Sequence, residues 1–448
     1  MTALSQLGAF VADGIRGRVT GKVRERLALH VTDTVAAWVA ASPTAEARLL
    51  ETFRAVLPQD SGDPSSDIAI NCAQVRSSEV DDIHLAAMIT PGSMVVPATL
   101  SIAAAMPVDA ATLREAIVAG YEAMIRLGLA LDGPAILYRG IWPTYYAAPF
   151  GVAASAARLL GLSAKQTTHA LTLALSLSPP GVAGTNTTST SRWIAIGSSA
   201  RNGLMAAQAA RAGFTSARNL FEGVFFSKVF GITPKVDALT NGLGDELLLN
   251  DVSFKPWCAA RQTMAATQAF KEILGEGIDP AAISSIEVSC PPPFLQMIDH
   301  GIDESDRLSR LTSMPYQLAI AAFDPAAAYD VTQSNVVSDA ERALMDRVKI
   351  FADEKLLAGF PAMWSAKVRV MAGGAVKERI LSHIPGDPAH PFDAAAVARK
   401  FHAMADRIVG PAAVDALIAL SGRVLDGAGG ASQLLDKIAQ ATGDKVGR

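Results

Sequence analysis

The sequence predicts a mainly α-helical protein in which a large all-helical domain is interrupted by a smaller α+β domain. Three observations carry this. Apolar residues recur every three or four positions through most of the first 270 residues. That period gives way to apolar/polar alternation near residue 280 and returns from about Asp393. Of the 448 residues, half are hydrophobic and only 18% are charged, the composition of a well-buried chain long enough for two domains.

The helical period first shows in Val23, Leu27, Val31, Val35 and Trp38, one face of a helix that Ser42-Pro43 ends. From Ala111 to Ala130 the positions Leu113, Ile117, Tyr121, Met124, Ile125 and Leu129 repeat it. Residues 147–160 are small and apolar, with Gly151 near the start, which suits a helix packed closely on most sides; Gly161 then supplies a stop and Ser163 a new N-cap. Arg201–Ala212 and Gln262–Ile273 read as two further amphipathic helices. Strands are expected from Ile286 to Cys290, before three prolines, and from Ala366 to Met371, before Gly373-Gly374. Helical segments around Tyr316–Phe323 and Ala340–Phe351 lie between them. The helical domain is placed at 1–267, rejoined by 401–448, and the α+β domain at 268–400.

Several function classes are excluded at this level. A formal net charge of -4, with no basic run or aromatic-interleaved stripe, gives no footprint for nucleic acid. The N-terminus lacks the pattern of a secretory signal, and the longest weakly polar stretch, Ala147–Ala157, is too short to span a bilayer. The three cysteines, Cys72, Cys258 and Cys290, have no CxxC spacing and read as buried thiols in a reducing cytoplasm. No phosphate loop, dinucleotide fingerprint, nucleophile elbow or HExxH occurs, and no two of the seven histidines have metal-ligand spacing on a helix. His383 and His390 flank a Pro/Gly-rich loop and read as solvated. No metal is expected.

Four stretches pack polar or special residues into apolar surroundings: Val80–Ser93 (VDDIHLAAMITPGS), Tyr138–Tyr146 (YRGIWPTYY), Gly184–Gly203 (GTNTTSTSRWIAIGSSARNG) and Lys255–Met264 (KPWCAARQTM). If the first were helical, Asp81, His84 and Met88 would share a face and Asp81 would orient the imidazole. The run TNTTSTS reads either as a hydroxyl-rich carboxylate-binding loop or as a plain surface loop.

These stretches carry a resemblance. DDIHLAAMITPGS looks like the DD-x-H-L-x-x-x-x-H-P-G-S motif of the MmgE/PrpD superfamily. GYEAMIRLG with RGIWPT resembles its "GYE…RG-F-H-P-T" segment. SSARNGLMAAQAARAGFTSARNLFEG, KPWCAARQTMAA and LTSMPYQLAIAA are similar to further family segments, in the same order. The resemblance covers nearly the whole chain. It implies an all-helical domain with an α+β lid, an active-site cleft between them, a homodimer, and cofactor-free chemistry on small polycarboxylates. Family members include 2-methylcitrate dehydratase, cis-aconitate decarboxylase and iminodisuccinate epimerase.

The chain departs from the family where chemistry is at stake. Thr90, Trp142, Gln262 and Met264 stand where the family's dehydratases and decarboxylases carry histidines, and Arg192 falls near a site lysine. Elimination of water needs an acid and a base near neutral pH, and imidazoles supply these best. Epimerisation needs only two proton-transfer groups on opposite faces of a carbon α to a carboxylate, with cations to hold the developing charge. Arg192, Arg261, Arg201 and Lys255 are candidate carboxylate binders, arginine being matched to a carboxylate by its fork. Tyr145 and Tyr146 are unusual phenols where the family has small residues. The catalytic candidates are Tyr145, His84 and Lys255; Tyr146, Thr90, Asp82, Gln262 and Met264 complete the expected pocket. The residues thus favour an epimerase of iminodisuccinate type. A dehydratase or decarboxylase that has moved its groups onto His84 and Tyr145, and a paralogue that only binds polycarboxylates, are the competing readings.

Overall fold

A computed structural model describes residues 1–58, 62–179, 189–427 and 429–443. The described helices of ten residues or more are, in chain order, α1 (Gly21–Ala41), α2 (Ala45–Arg54), α3 (Ser65–Ser77), α4 (Gly92–Ala104), α5 (Ala110–Ala130), α6 (Pro143–Leu159), α7 (Ala164–Ser176), α8 (Ser191–Arg211), α9 (Arg261–Leu274), α10 (Met314–Phe323), α11 (Ala394–Val409), α12 (Pro411–Val424) and α13 (Ala431–Thr442). A four-stranded sheet is formed by β1 (Ile283–Cys290), β2 (Val348–Ala352), β3 (Ala366–Ala372) and β4 (Ala375–Leu381). The chain divides into two compact units, one from described residues up to Val252 and again from Asp393, the other spanning Ser253–Phe392. The sequence reading put these divisions at 267/268 and 400/401.

The first unit is wholly helical and is built around α6. Every residue of α6 is buried, as expected of a helix that is apolar all round. It packs against α4, α5, α7 and α8. Alanine and glycine make this close fit possible: a Cβ on Gly120 of α5 would lie 3.1 Å from the Gly151 carbonyl of α6. Gly161 stops the helix with φ +64°, and Ser163 opens α7 with a capping box to Gln166. The returning segment packs α11 and α12 on α1, and α13 on α4, so residues from both ends of the chain share one core.

In the second unit the strand order is β2-β1-β3-β4, with β2 parallel to β1 and the other pairs antiparallel. β1 and β3 alternate buried and solvent-facing residues and are the two strands legible in the sequence. Gly373 and Gly374, both at positive φ, form the two-residue turn to β4. β2 and β4 lie at the sheet edges and are largely exposed, so neither shows a buried stripe. The helix expected over Ala340–Phe351 is corrected accordingly. It runs only from Asp339 to Met345, and Val348–Ala352 pairs with Ile286–Cys290 instead. Helix α9 packs on β3 and β4, which draws it into this unit. All three cysteines are buried, and among the described residues no helix is long and apolar enough to cross a membrane.

Candidate active site

The stretch Val80–Ser93 is not a helix, and the expectation that Asp81, His84 and Met88 share a helical face is corrected. Residues 79–91 form a folded-back loop between α3 and α4. His84 and Ile89 pair through both backbone hydrogen bonds, and Met88 turns the chain with φ +55°. The loop seats against the segment following α5 so tightly that a Cβ on Gly133 would lie 1.9 Å from the Ala87 carbonyl oxygen. Asp81 faces Arg76, at 3.4 Å, rather than His84. The His84 Nδ1 accepts the Ala87 N–H at 3.1 Å, which places the ring proton on Nε2. Burial lowers this imidazole to about 4, so at neutral pH it is a hydrogen-bond donor at Nε2 with its acceptor nitrogen occupied.

Asp82 holds the loop in place. One carboxylate oxygen accepts the Gly92 N–H at 2.8 Å, and the other accepts the Tyr121 hydroxyl and meets His30 Nδ1, each at 2.8 Å. Burial holds His30 below its ordinary range, so a neutral ring donates to Asp82. Position 92 must be glycine, since a Cβ there would sit 2.7 Å from Asp82. Asp82, expected to contact substrate, therefore serves as the anchor beneath the loop. A second buried contact braces it: Lys400 of α11 meets Asp33 of α1 at 2.6 Å and donates to the Val80 carbonyl at 3.1 Å. Asp33 is pushed up to about 6 because burial outweighs the attraction of Lys400. With the folded value above the unfolded one, the folded state binds the extra proton between about pH 4 and 6, so stability falls as pH rises through that window, by at most about 1.4 kcal/mol per pH unit. Urea denaturation across it is expected to show this slope in the wild type and its loss in Asp33→Asn.

Above this anchor the first turns of α6 and α8 carry the polar residues. The Thr90 N–H donates to the Thr144 hydroxyl at 3.1 Å, the two hydroxyls lie 3.2 Å apart, and Ser93 donates to the Thr90 carbonyl. Helix α8 begins at Ser191, ten residues before the helix expected from Arg201, and so lifts Arg192 and Trp193 out of the expected loop. The Arg192 guanidinium lies 4.6 Å from the Trp142 ring centroid and 5.0 Å from that of Trp193, and its Nε approaches the Tyr145 hydroxyl at 3.5 Å. Trp142 and Tyr145 are themselves in ring contact at 5.5 Å. Arg192 is only 8% exposed, yet has no carboxylate partner among the described residues. By contrast Arg76, buried nearby in charge terms, keeps its proton despite desolvation because Asp81, Glu79 and Tyr145 favour the charged form.

Two expected residues do not join this cluster. Arg201 follows Arg192 by nine positions, half a turn out of phase on a helix, and lies on the exposed face of α8. Tyr146 packs edge-on against Phe230 at 5.4 Å, and burial alone raises its phenol. Of the run TNTTSTS, Thr185–Thr188 lie outside the described residues.

In the second unit Lys255 is buried in the irregular segment before α9. Arg261 opens α9 and sets Nη2 against both oxygens of Asp387, at 2.9 and 2.8 Å, while Asp387 also accepts the Ile384 N–H. Its Nε and Nη1 are buried without a partner among the described residues. Gln262 and Met264 follow it, both buried. Among the described residues no group of three or more His, Cys, Asp or Glu is placed to hold a metal.

Sequence reasoning missed His30, Asp33, Tyr121 and Lys400. Their only signal was a polar residue on an otherwise buried helix face, as in His30–Asp33 of α1. It also missed Arg76, and gave Trp142 no role beyond marking a replaced histidine.

Comparison with known proteins agrees with this architecture. The MmgE/PrpD N-terminal domain matches residues 5–235 and the MmgE/PrpD C-terminal domain residues 257–423. The chain is also 28% identical over 209 residues to the cis-aconitate decarboxylase-like protein oryM of Aspergillus oryzae. That match spans 43% of this chain and 43% of the relative, less than half the length of either. With both domains matched in order over nearly all of its length, the chain belongs to the MmgE/PrpD family, whose members include dehydratases and decarboxylases.

Proposed function

We propose that this protein moves a proton at a carbon α to a carboxylate of a small imino- or amino-polycarboxylate, as an epimerase of iminodisuccinate type that needs no cofactor. The observation that carries the reading is Arg192, a buried guanidinium with no carboxylate partner among the described residues and a phenol 3.5 Å from its Nε. Leaving such a charge uncompensated is costly, and an anionic substrate would relieve it. With two indole rings in cation–π contact with it, the guanidinium still offers N–H groups in its plane to a carboxylate.

Tyr145 is the proposed base. Its phenolate oxygen takes the α-proton and becomes the phenol, and the electron pair of the broken C–H bond moves into the carboxylate, giving an enediolate-like charge that Arg192 stabilises. A second acid returns a proton to the opposite face of the carbon and completes the epimerisation. Thr90, Trp142, Gln262 and Met264 transfer no proton near neutral pH, and His84 has its acceptor nitrogen occupied, so the positions at which the family's dehydratases and decarboxylases carry histidines hold no proton-transfer group. The second reading, a decarboxylase or dehydratase of a tricarboxylate, is favoured by the name of the Aspergillus relative.

Proton NMR in D₂O separates the two. Deuterium entering the α-position of a single iminodisuccinate stereoisomer, with loss of optical rotation, is the expected result. A vinyl signal or carbon dioxide release from cis-aconitate or 2-methylcitrate, without α-exchange, would overturn it in favour of the second reading.

A further inference from the structure

We infer that Trp142 is a substrate-binding residue, whose indole Nε1–H donates a hydrogen bond to an oxygen of the molecule that neutralises Arg192. The inference rests on the reading of Arg192 as a carboxylate site and extends it to a residue that cannot transfer a proton.

The Nε1 of Trp142 is buried and has no acceptor among the described residues. A buried donor left without a partner costs about 1–3 kcal/mol, and such groups in folded proteins generally find one. Indole donates only, so the missing partner must be an acceptor. The same ring lies 4.6 Å from the Arg192 guanidinium and 5.5 Å from the Tyr145 ring. An acceptor reached by Nε1–H therefore sits beside a cation that also lacks its counter-charge. One small molecule bearing carboxylate oxygens meets both needs.

The position of Trp142 fits this role. It is the residue before Pro143, which opens α6, and Pro143 fixes the backbone that aims the ring. Trp193 gives a contrast within the same cluster: it also covers Arg192, at 5.0 Å, but its Nε1 is not among the buried atoms lacking a partner. Trp193 thus acts through its face, and Trp142 through its face and its N–H.

Calorimetric binding of tricarballylate, a saturated tricarboxylate with no group to eliminate, tests this on the full chain. Trp142→Phe keeps an aromatic face but removes the donor, and is expected to weaken binding about 10–100-fold, the value of a hydrogen bond to a charged acceptor. Benzothienylalanine at position 142 matches the indole in shape, replaces N–H by sulfur and is expected to do the same, which keeps the test valid if phenylalanine perturbs folding. Trp193→Phe is expected to stay within about threefold. If Arg192→Gln abolishes binding while both position-142 variants bind within twofold of wild type, the role of Trp142 is overturned and the Arg192 site stands. If Arg192→Gln binds tricarballylate as tightly as wild type, the Arg192 site fails, and the inference with it.

Discussion

Arg192→Gln is expected to lower kcat/KM for α-proton exchange about 10²–10³-fold, the usual effect of removing one donor aimed at developing negative charge. Glutamine keeps much of the length and some hydrogen bonding but removes the charge. The loss should fall on both parameters, because the guanidinium binds the carboxylate in the ground state and stabilises it further as the enediolate forms. Stability is expected to move the other way. Arg192 is 8% exposed, has no carboxylate partner among the described residues and is held by contacts to Trp142 and Trp193. Removing an uncompensated buried charge relieves desolvation, so the urea midpoint should hold or rise. A variant with near wild-type exchange would remove Arg192 from the mechanism.

Tyr145→Phe carries the second large effect. Loss of a positioned proton-transfer group costs about 10²–10⁴-fold in rate, and this variant deletes one oxygen while leaving the ring that packs on Trp142. The fall should appear in kcat, with KM changed little, since Arg192 and its neighbours still bind the substrate. The hydrogen bond between the phenol oxygen and Arg192 Nε is long, at 3.5 Å, so its loss is expected to cost little folding stability. The backbone is pinned separately by Ser199, whose hydroxyl donates to the Tyr145 carbonyl at 2.6 Å. Single-turnover exchange in D₂O measures the step directly, and unchanged exchange in Tyr145→Phe would rule the phenol out as base.

The sequence made the helical domain legible because its signals are local. The period of α1, α5 and α6, the Gly161 stop and the Ser163 cap all act within a few residues, and the structure has them where they were expected. β1 and β3 were visible for the same reason, each having one buried face. β2 and β4 were not, because an edge strand's identity depends on a partner distant in sequence: Val348 pairs with Ile286. Site chemistry divided along the same line. Residue types at motif positions pointed to Arg192, Tyr145 and Thr90. The loop's true shape depended on Asp82 reaching Gly92, Tyr121 and His30 together, which helical spacing around His84 could not reveal. Arg201 was misplaced by a question of phase: its motif lies in α8, but the helix starts earlier than its apolar pattern suggests, and nine residues carry the side chain to the opposite face.

The contact between Lys400 and the Asp33 carboxylate and Val80 carbonyl also constrains the order in which the protein can mature. α1 and the loop at 79–91 leave the ribosome early, but their brace arrives only after all of Ser253–Phe392 has been made. During synthesis the first unit must wait with Asp33 and Val80 lacking this partner, exposing the groove on α1 that α11 and α12 later fill. Closure then joins residues more than 360 positions apart, a long-range step that is intrinsically slow and leaves apolar surface open in the interim. Chains truncated before α11 should accordingly collect as aggregation-prone species, even though every residue of the Arg192 cluster has already been made.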